Sequence, residues 1–307
     1  MKDRSTNGKT IYRQGFIKID PDFVGLCDKA LDKQFTEAAR ILAEEKKSRI
    51  IGLTGPTCSG KTTAAKKLAI DFEKIGKKIR PVSLDDFYKD LFSRKKLESM
   101  DPSKIDFDSP DTLDTEEFDR FTREIFSKGR SKKPIFDFAE GKRSGYEEIV
   151  LADNEVLLFE GIQVLYPSVS DIIEGRGGLV LYVYPASGIE VNGKRFDPDF
   201  IRFCRRLVRD NNFRAATAEF TFSIWDGVRK NEVNNIFPHL DLCDVEIDTT
   251  LAYELNILAP YIRNLLGQMT EKDEHYDESR KILEMFEGIE PIDSSVISET
   301  SLYNEFV

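Results

Sequence analysis

The chain has 307 residues, of which 40% are hydrophobic and 33% are charged, as is typical of a folded protein with one large domain or two ordinary ones. Its formal net charge of -10 excludes broad nonspecific binding of nucleic acid, which requires a basic surface. No apolar run approaches the roughly 18 residues of a membrane span, and the first residues lack the apolar core of a signal peptide.

The four cysteines are scattered along the chain without CxxC spacing, so we predict neither a zinc site nor a disulfide framework. Reduced thiols are typical of cytoplasmic proteins. We therefore expect a cytoplasmic location, with no membrane partner and no nucleic-acid partner.

Short apolar runs alternate with helical patterns along most of the chain. Residues 32–48 read as a charged amphipathic helix. Nearly continuous apolar runs then predict strands that are buried on both faces: 49–54, 79–84, 155–161, 179–185 and, as a further candidate, 243–249. The patterns between them predict helices, including 115–129 and 197–210. This alternation predicts an α/β fold in which a doubly wound, mainly parallel sheet has helices on both faces.

Two further features lie outside this alternation. Residues 134–138 and 146–151 are candidates for a small antiparallel addition. Residues 275–288 predict one more helix, which an extended end follows.

The first predicted strand leads into a phosphate-binding loop. Residues 55–62, GPTCSGKT, match the pattern GxxxxGK[ST] in full. The glycines allow backbone N–H groups to curl around a β-phosphate, and the following helix contributes its positive N-terminal end. Lys61 would reach the β- and γ-phosphates, and the Thr62 hydroxyl would bind Mg²⁺. We therefore predict ATP and Mg²⁺ as cofactors, with ATP bound by Gly55, Thr57, Ser59, Gly60, Lys61, Thr62 and Thr63.

Acidic residues follow two of the predicted strands. Asp85 comes after PVSL and Glu160 after VLLF, and ligands of doubly wound sheets bind at the carboxyl ends of strands. A carboxylate there could hold Mg²⁺ through water or take the proton from an attacking hydroxyl. Asp85 could instead only cap the next turn. The two histidines, His239 and His275, do not lie at predicted strand ends, which argues against a histidine base.

Arginines recur on one face of the helix predicted at 197–210. They are Arg202, Arg205, Arg206 and Arg209, and the opposite face carries Phe200, Cys204, Leu207 and Val208. The arginine face could be an ordinary solvated face. It could also belong to a lid helix that neutralises the charge of a transferring phosphoryl group, joined by Arg214 from beyond the helix.

At this point the sequence resembles the uridine kinase and phosphoribulokinase family of P-loop kinases. The resemblance depends on six ordered motifs between about residues 50 and 215: GPTCSGKTT, SLDDFYKD, FDSPDTLD, PIFDF, LLFEGI and RRLVRD. The segment from TAEFTFSIWDGV onward and the tail PIDSSV…SLYNEF resemble a bacterial branch of uridine kinase-like nucleoside kinases. We divide the chain into an N-terminal extension with a helix (1–48), a P-loop kinase domain (49–270) and a C-terminal helix and tail packing on the core (271–307).

The resemblance implies a role for several residues. Asp85 would be the general base on the sugar hydroxyl, and Glu160 the second acidic residue at the magnesium site. Lys61 and Arg209 would act with Asp85 in catalysis. Tyr88 and Asp108 would line the ribose side, and Phe136 would flank the nucleobase. Arg206 would contact the substrate sugar, and Arg209 and Arg214 would hold ATP phosphates.

The sequence departs from the family at the base-reading position. Uridine kinases carry a histidine shortly after the YDF element, whereas this chain has FDFAEGKRS, with Phe136 for the tyrosine and Gly141 for the histidine. A site that reads its substrate by hydrogen bonds loses discrimination when those groups are lost. Lys142 or Arg143 could compensate, or the substrate could differ.

Three functions follow. The leading one is a kinase that moves the ATP γ-phosphate to the 5′-hydroxyl of a nucleoside or a similar alcohol. The second is a kinase for another alcohol, such as ribulose 5-phosphate or pantothenate. The third, a nucleotide switch or an inactive binding protein, is disfavoured. A GTPase switch would need the guanine-reading motif [NT]KxD after a strand, and the nearest string, SKID at 103–106, has the wrong first residue. An inactive relative should have lost Lys61, Asp85 or the arginines, and all are present. The sequence leaves open the donor, ATP or GTP, and whether the chain forms a homo-oligomer.

Overall fold

The computed structural model describes residues 11–14, 19–44, 49–90 and 109–307. In chain order the described strands are β1 (Ile11–Arg13), β2 (Ile50–Thr54), β3 (Lys78–Ser83), β4 (Arg130–Asp137), β5 (Lys142–Val150), β6 (Glu155–Glu160), β7 (Leu179–Tyr184), β8 (Gly188–Val191), β9 (Lys194–Phe196) and β10 (Val245–Asp248). The described α-helices are α1 (Pro21–Glu44), α2 (Lys61–Lys74), α3 (Thr115–Lys128), α4 (Pro167–Glu174), α5 (Pro198–Arg214), α6 (Ala218–Asn231), α7 (Glu254–Gly267) and α8 (Tyr276–Met285).

A five-stranded parallel sheet forms the centre of the molecule. Its order is β10-β7-β2-β6-β3, so β2 pairs with β6 on one side and with β7 on the other. All five residues of β2 are buried, as its continuous apolar run predicts. The five strands are the five predicted from apolar runs, and those predictions are confirmed. The carboxyl end of the central strand β2 is therefore where the loop 55–60 leaves the sheet.

Helices cover both faces of this sheet. One apolar core includes side chains of α1, α2, α5 and α7, whereas the other includes side chains of α3 and α4. The predicted doubly wound α/β architecture is confirmed. Within the described residues, no helix is both long and apolar enough to cross a bilayer.

Two smaller sheets flank the central one. The strands β4 and β5 form an antiparallel hairpin with an irregularity between Ile135 and Phe136, which confirms the predicted addition. The strand β8 pairs with β1 in parallel and with β9 antiparallel, a sheet that the sequence patterns did not reveal.

The N-terminal helix starts earlier than predicted. It begins at Pro21 rather than near residue 32, because Asp20 accepts a hydrogen bond from the Phe23 N–H (3.1 Å) and proline suits the first helical position. The helix packs on α2, and a final short turn, Leu302–Glu305, also contacts α2. The division into three segments stays a prediction.

Candidate active site

The loop between β2 and α2 needs its two glycines for different reasons. A Cβ on Gly55 would lie 2.0 Å from the Val183 carbonyl oxygen, a contact that no side chain can make. Gly60 has a φ of +95°, in the left-handed region that favours glycine. Cys58 also has a positive φ, of 57°. The predicted loop is therefore tightly curled, and it leads directly into the N-terminus of α2.

The carbonyl oxygens of this loop are fixed from behind. Arg202 Nε donates to the Thr57 oxygen (3.1 Å) and Arg205 Nη1 to the Cys58 oxygen (3.3 Å). The Thr249 hydroxyl donates to the Ser59 oxygen (2.8 Å). A cradle whose backbone is fixed before a ligand arrives needs little reorganisation on binding, which suits an anion site.

The four arginines predicted on one face of α5 do not form one solvated face. Arg202 and Arg205 are 2% and 0% exposed, and they pair with the buried carboxylates of Glu232 and Glu254. The solvated-face alternative is wrong for these two residues. Their guanidinium groups support the loop and the core instead of facing the cavity described below.

The other arginines converge on one buried carboxylate. Asp210, 2% exposed, accepts from Arg206 Nε (3.1 Å) and from Arg209 Nε (2.9 Å) and Nη2 (2.7 Å), and Arg214 Nη1 lies 3.6 Å from it. Arg206 also donates to the Thr57 hydroxyl (3.2 Å). Asp210 thus holds three cations beside the loop, a role that sequence reasoning missed.

A cavity of about 410 Å³ lies between this loop, the carboxyl ends of the strands and α5. It brings together most of the predicted site residues. Those that line it are Thr57, Ser59, Gly60, Lys61, Thr62, Asp85, Tyr88, Glu160, Arg206, Arg209 and Arg214.

The lysine of the loop is folded back in the described state. Lys61 Nζ donates to the carbonyl oxygens of Gly55 (2.9 Å) and Pro56 (3.2 Å). Burial lowers the pKa of its ammonium, and the carboxylates of Glu160 and Glu305 act in the opposite direction. The Ser59 hydroxyl oxygen is buried, and among the described residues it has no hydrogen-bond partner. An unpaired buried hydroxyl and a cation held at the loop fit a phosphate-bearing nucleotide.

The two predicted carboxylates line the same cavity. The Thr62 hydroxyl donates to Glu160 Oε1 over 3.5 Å, and burial raises the pKa of Glu160 while Lys61 opposes that shift. A hydroxyl and a carboxylate oxygen are the donors that Mg²⁺ prefers. The Ser83 hydroxyl accepts from the Asp85 N–H (3.2 Å), so Asp85 sits in a short turn after β3 with its carboxylate left for other contacts.

The Gln163 side chain fixes the carboxylate of Asp85, a contact that the sequence did not predict. Its Nε2 donates to Asp85 Oδ1 and to the Tyr88 hydroxyl, each over 2.9 Å, and the residue is 1% exposed. Its position in the short helical turn after Glu160 is the one sequence signal that could have identified it.

The aromatic residues near Tyr88 form a cluster. The Phe136 ring meets the Tyr88 ring edge-on at 5.6 Å between centroids, and Phe138 lies 5.1 Å from Phe136. Tyr88 lines the cavity, whereas Phe136 is not among the described residues that do. Asp108 lies outside the described residues.

Two basic residues after Gly141 were possible replacements for a base-reading group. Arg143 Nη2 donates to Asp114 (3.1 Å) and its Nη1 to the Tyr146 hydroxyl (3.1 Å), so the guanidinium is already engaged. The Lys142 side chain is 57% exposed and lies 3.7 Å from Glu140. Neither is among the described residues that line the cavity.

The C-terminal tail also reaches the cavity. Glu305 lines it and accepts a hydrogen bond from the Thr63 N–H in the first turn of α2. No spacing or composition signal in the sequence connects residues so far apart in the chain.

Comparisons with known proteins identify the family. The model of the phosphoribulokinase / uridine kinase family matches residues 50–254. The chain is 32% identical to the uridine kinase of Clostridium tetani over 165 residues, which are 54% of this chain and 69% of that protein. It is 30% identical to uridine-cytidine kinase 2-B of Danio rerio over 175 residues, 55% and 60% of the two chains. The solved structure of a candidate fructose transport system kinase from Silicibacter sp. superposes with a TM-score of 0.50 at 19% identity, over 69% of this chain and 98% of that one. At that identity the likeness concerns the fold.

Proposed function

Because the chain belongs to the phosphoribulokinase / uridine kinase family, it is an ATP-dependent kinase acting on a hydroxyl group, and we propose that this group is the 5′-hydroxyl of a nucleoside. The observation that carries the proposal is the shared cavity, in which the carboxylate of Asp85 faces the same space as the phosphate loop. The names of the similar curated proteins support a nucleoside acceptor.

In the proposed reaction the acceptor hydroxyl attacks the γ-phosphorus while Asp85 takes its proton, and the bond from the γ-phosphorus to the β,γ-bridging oxygen breaks, so that ADP leaves. Gln163 occupies Asp85 Oδ1, so we assign proton transfer to Oδ2. Lys61 and the backbone of the loop bind the phosphates, which requires Lys61 to leave the carbonyls that it contacts in the described state. Arg206 and Arg209, held by Asp210, offset the negative charge that develops on the transferring group.

We assign separate residues of the loop and of the first turn of α2 to magnesium and to the phosphates. Thr62 and Glu160 would hold Mg²⁺, and Thr57, Ser59, Gly60, Lys61 and Thr63 would contact the phosphates, with Arg214 joining from the end of α5. When bound, Mg²⁺ supplies positive charge to the phosphate oxygens. Tyr88 would line the acceptor side, with Phe136 and Phe138 behind it. A cytoplasmic location is part of the same proposal.

The placement of cations favours a neutral acceptor over a phosphorylated one such as ribulose 5-phosphate. Among the described residues that line the cavity, the cations are Lys61, Arg206, Arg209 and Arg214. They lie on the loop and on α5, whereas Asp85 and Tyr88 follow β3. A second phosphate on the acceptor would need cations of its own near Asp85.

The test is ADP release from Mg-ATP with uridine, cytidine, purine nucleosides, ribulose 5-phosphate and pantothenate as acceptors. We expect turnover on a nucleoside, and a fall of about 10²–10⁴-fold in Asp85→Asn, the range that a general base contributes. Asp86→Asn is the matched control, because Asp86 pairs with Lys133 and the asparagine side-chain oxygen could still accept the Phe136 N–H that Asp86 accepts over 3.5 Å. Turnover on ribulose 5-phosphate or pantothenate alone would refute the nucleoside assignment, and full activity of Asp85→Asn would refute the base.

A further inference from the structure

The last residues of the chain are packed against the phosphate loop. The Leu302 side chain covers Gly60 so closely that a Cβ there would lie 2.3 Å from Leu302 Cδ1. Three residues later, Glu305 accepts the N–H of Thr63 at the start of α2. Glu305 is also one of the residues that line the cavity.

The start of α2 is where the loop should receive a phosphate. Free N–H groups in the first turn of a helix, together with its positive end, bind anions. Thr63 is the second residue after Lys61 and belongs to the proposed nucleotide contacts. In the described state its N–H is already used by a carboxylate of the same chain.

The charges around this carboxylate are those proposed for the phosphates. Glu305 acts electrostatically on Lys61 and on Arg209, raising the pKa of each against the effect of burial. The tail therefore supplies a negative charge at the point where a nucleotide would bring its own.

We propose that Glu305 is a built-in competitor of the donor nucleotide: its carboxylate occupies the anion position at Thr63 and has to leave before the phosphates bind. The inference depends on the proposed binding of ATP at this loop. It goes beyond that function because it assigns the C-terminal tail a regulatory part in donor affinity.

The packing of the tail indicates that only the side chain moves. Leu302, Tyr303 and Phe306 are each 0% exposed, and the Tyr303 hydroxyl donates to Glu254. The Phe306 carbonyl oxygen accepts from Asn212 Nδ2 over 3.1 Å. Glu305 is only half-buried between these anchors, so its carboxylate can rotate away while the tail stays in place.

The test is a titration of the full-length protein with ATP and with ADP, without acceptor, for wild type, Glu305→Gln and Glu305→Ala. Removing the competing charge should tighten nucleotide binding by roughly three- to thirtyfold, the factor corresponding to an anion at a helix N-terminus. Glu299→Gln is the matched control, because Glu299 is an exposed carboxylate of the same tail, and its affinity should equal that of wild type.

The outcomes separate this inference from the proposed function. Nucleotide that binds all four proteins equally, or binds the Glu305 variants more weakly, overturns the competitor role and leaves the kinase assignment standing. Absence of binding to wild type and to both Glu305 variants overturns both. Thermal unfolding of each variant, in which Glu305→Gln keeps an acceptor for the Thr63 N–H, identifies any change in affinity that comes from misfolding.

Discussion

Replacing Arg205 by leucine should destabilise the fold strongly, although the sequence places this residue on the same helix face as Arg206 and Arg209. The guanidinium makes a two-pronged contact with Glu254, with Nε–Oε2 at 2.7 Å and Nη2–Oε1 at 3.0 Å. It also donates to the Thr249 carbonyl (2.8 Å) and the Cys58 carbonyl (3.3 Å). Both partners of the ion pair are fully buried.

The magnitude follows from what the substitution leaves behind. Of the donors among the described residues, Glu254 would keep the Leu251 N–H (3.0 Å) and the Tyr303 hydroxyl, and its buried charge would lose the cation beside it. Removing one partner of a buried ion pair costs about 3–5 kcal/mol of unfolding free energy. At about 2 °C per kcal/mol, the value for large domains, the unfolding midpoint should fall by about 6–10 °C.

Thermal unfolding of wild type, Arg205→Leu and Arg209→Leu would check this reasoning. Arg209 is an arginine of the same helix, four residues later, but Asp210 keeps Arg206 as a partner when Arg209 is lost. The midpoint of Arg209→Leu should therefore fall by less than about half as much. The double variant Arg205→Leu/Glu254→Leu should recover part of the loss, because it removes the stranded charge. If the unfolding midpoint falls no further for Arg205→Leu than for Arg209→Leu, the division of these arginines into supporting and cavity-facing residues is refuted.

Three further predictions concern the cavity. Asp210→Asn should lower kcat/KM for ATP by about 10–100-fold, because it loosens the arginines without removing them, and steady-state kinetics with a circular dichroism check would show it. Gln163→Leu should lower kcat by about tenfold with unchanged nucleotide affinity, and should add no further loss in an Asp85→Asn background; additive losses would contradict a positioning role. Gly60→Ala should lower the free energy of unfolding by about 1–3 kcal/mol, because Gly60 has a positive φ and a Cβ there would meet Leu302; a nucleotide titration should also show the loss of binding.

The central sheet could be predicted because its strands are buried on both faces. Such strands appear as short apolar runs, and β2 and β6 are typical of them. The sheet β1-β8-β9 could not be predicted, because its strands have three or four residues and its pairing joins Ile11 to Gly188, far along the chain. Strands of that length give too few alternations to reveal a period.

The site was predictable where residues follow a strand and obscure where they come from elsewhere. The sequence placed Asp85 and Glu160 near one another because the carboxyl ends of parallel strands share one edge, and both line the cavity, while their roles stay predictions. The helical period placed four arginines on one side of α5, but it carries no information about what covers that side. The buried partners Glu232 and Glu254 decide which arginines support the core, and they come from separate elements further along the chain.

The hairpin turn has a conformation that suits glycine at the position where the sequence departs from the family. Gly141 has a φ of +63°, a left-handed conformation that costs a histidine about 1–2 kcal/mol. Arg143 is held by Asp114 and Tyr146 and is not among the described residues that line the cavity. What lies nearby instead is the aromatic cluster of Tyr88, Phe136 and Phe138, whose rings recognise flat surfaces but not individual polar edges. Under the proposed function, an acceptor bound mainly by such rings would be selected by shape, so its base selectivity would differ from that of uridine kinases while the phosphate loop keeps the family's motif.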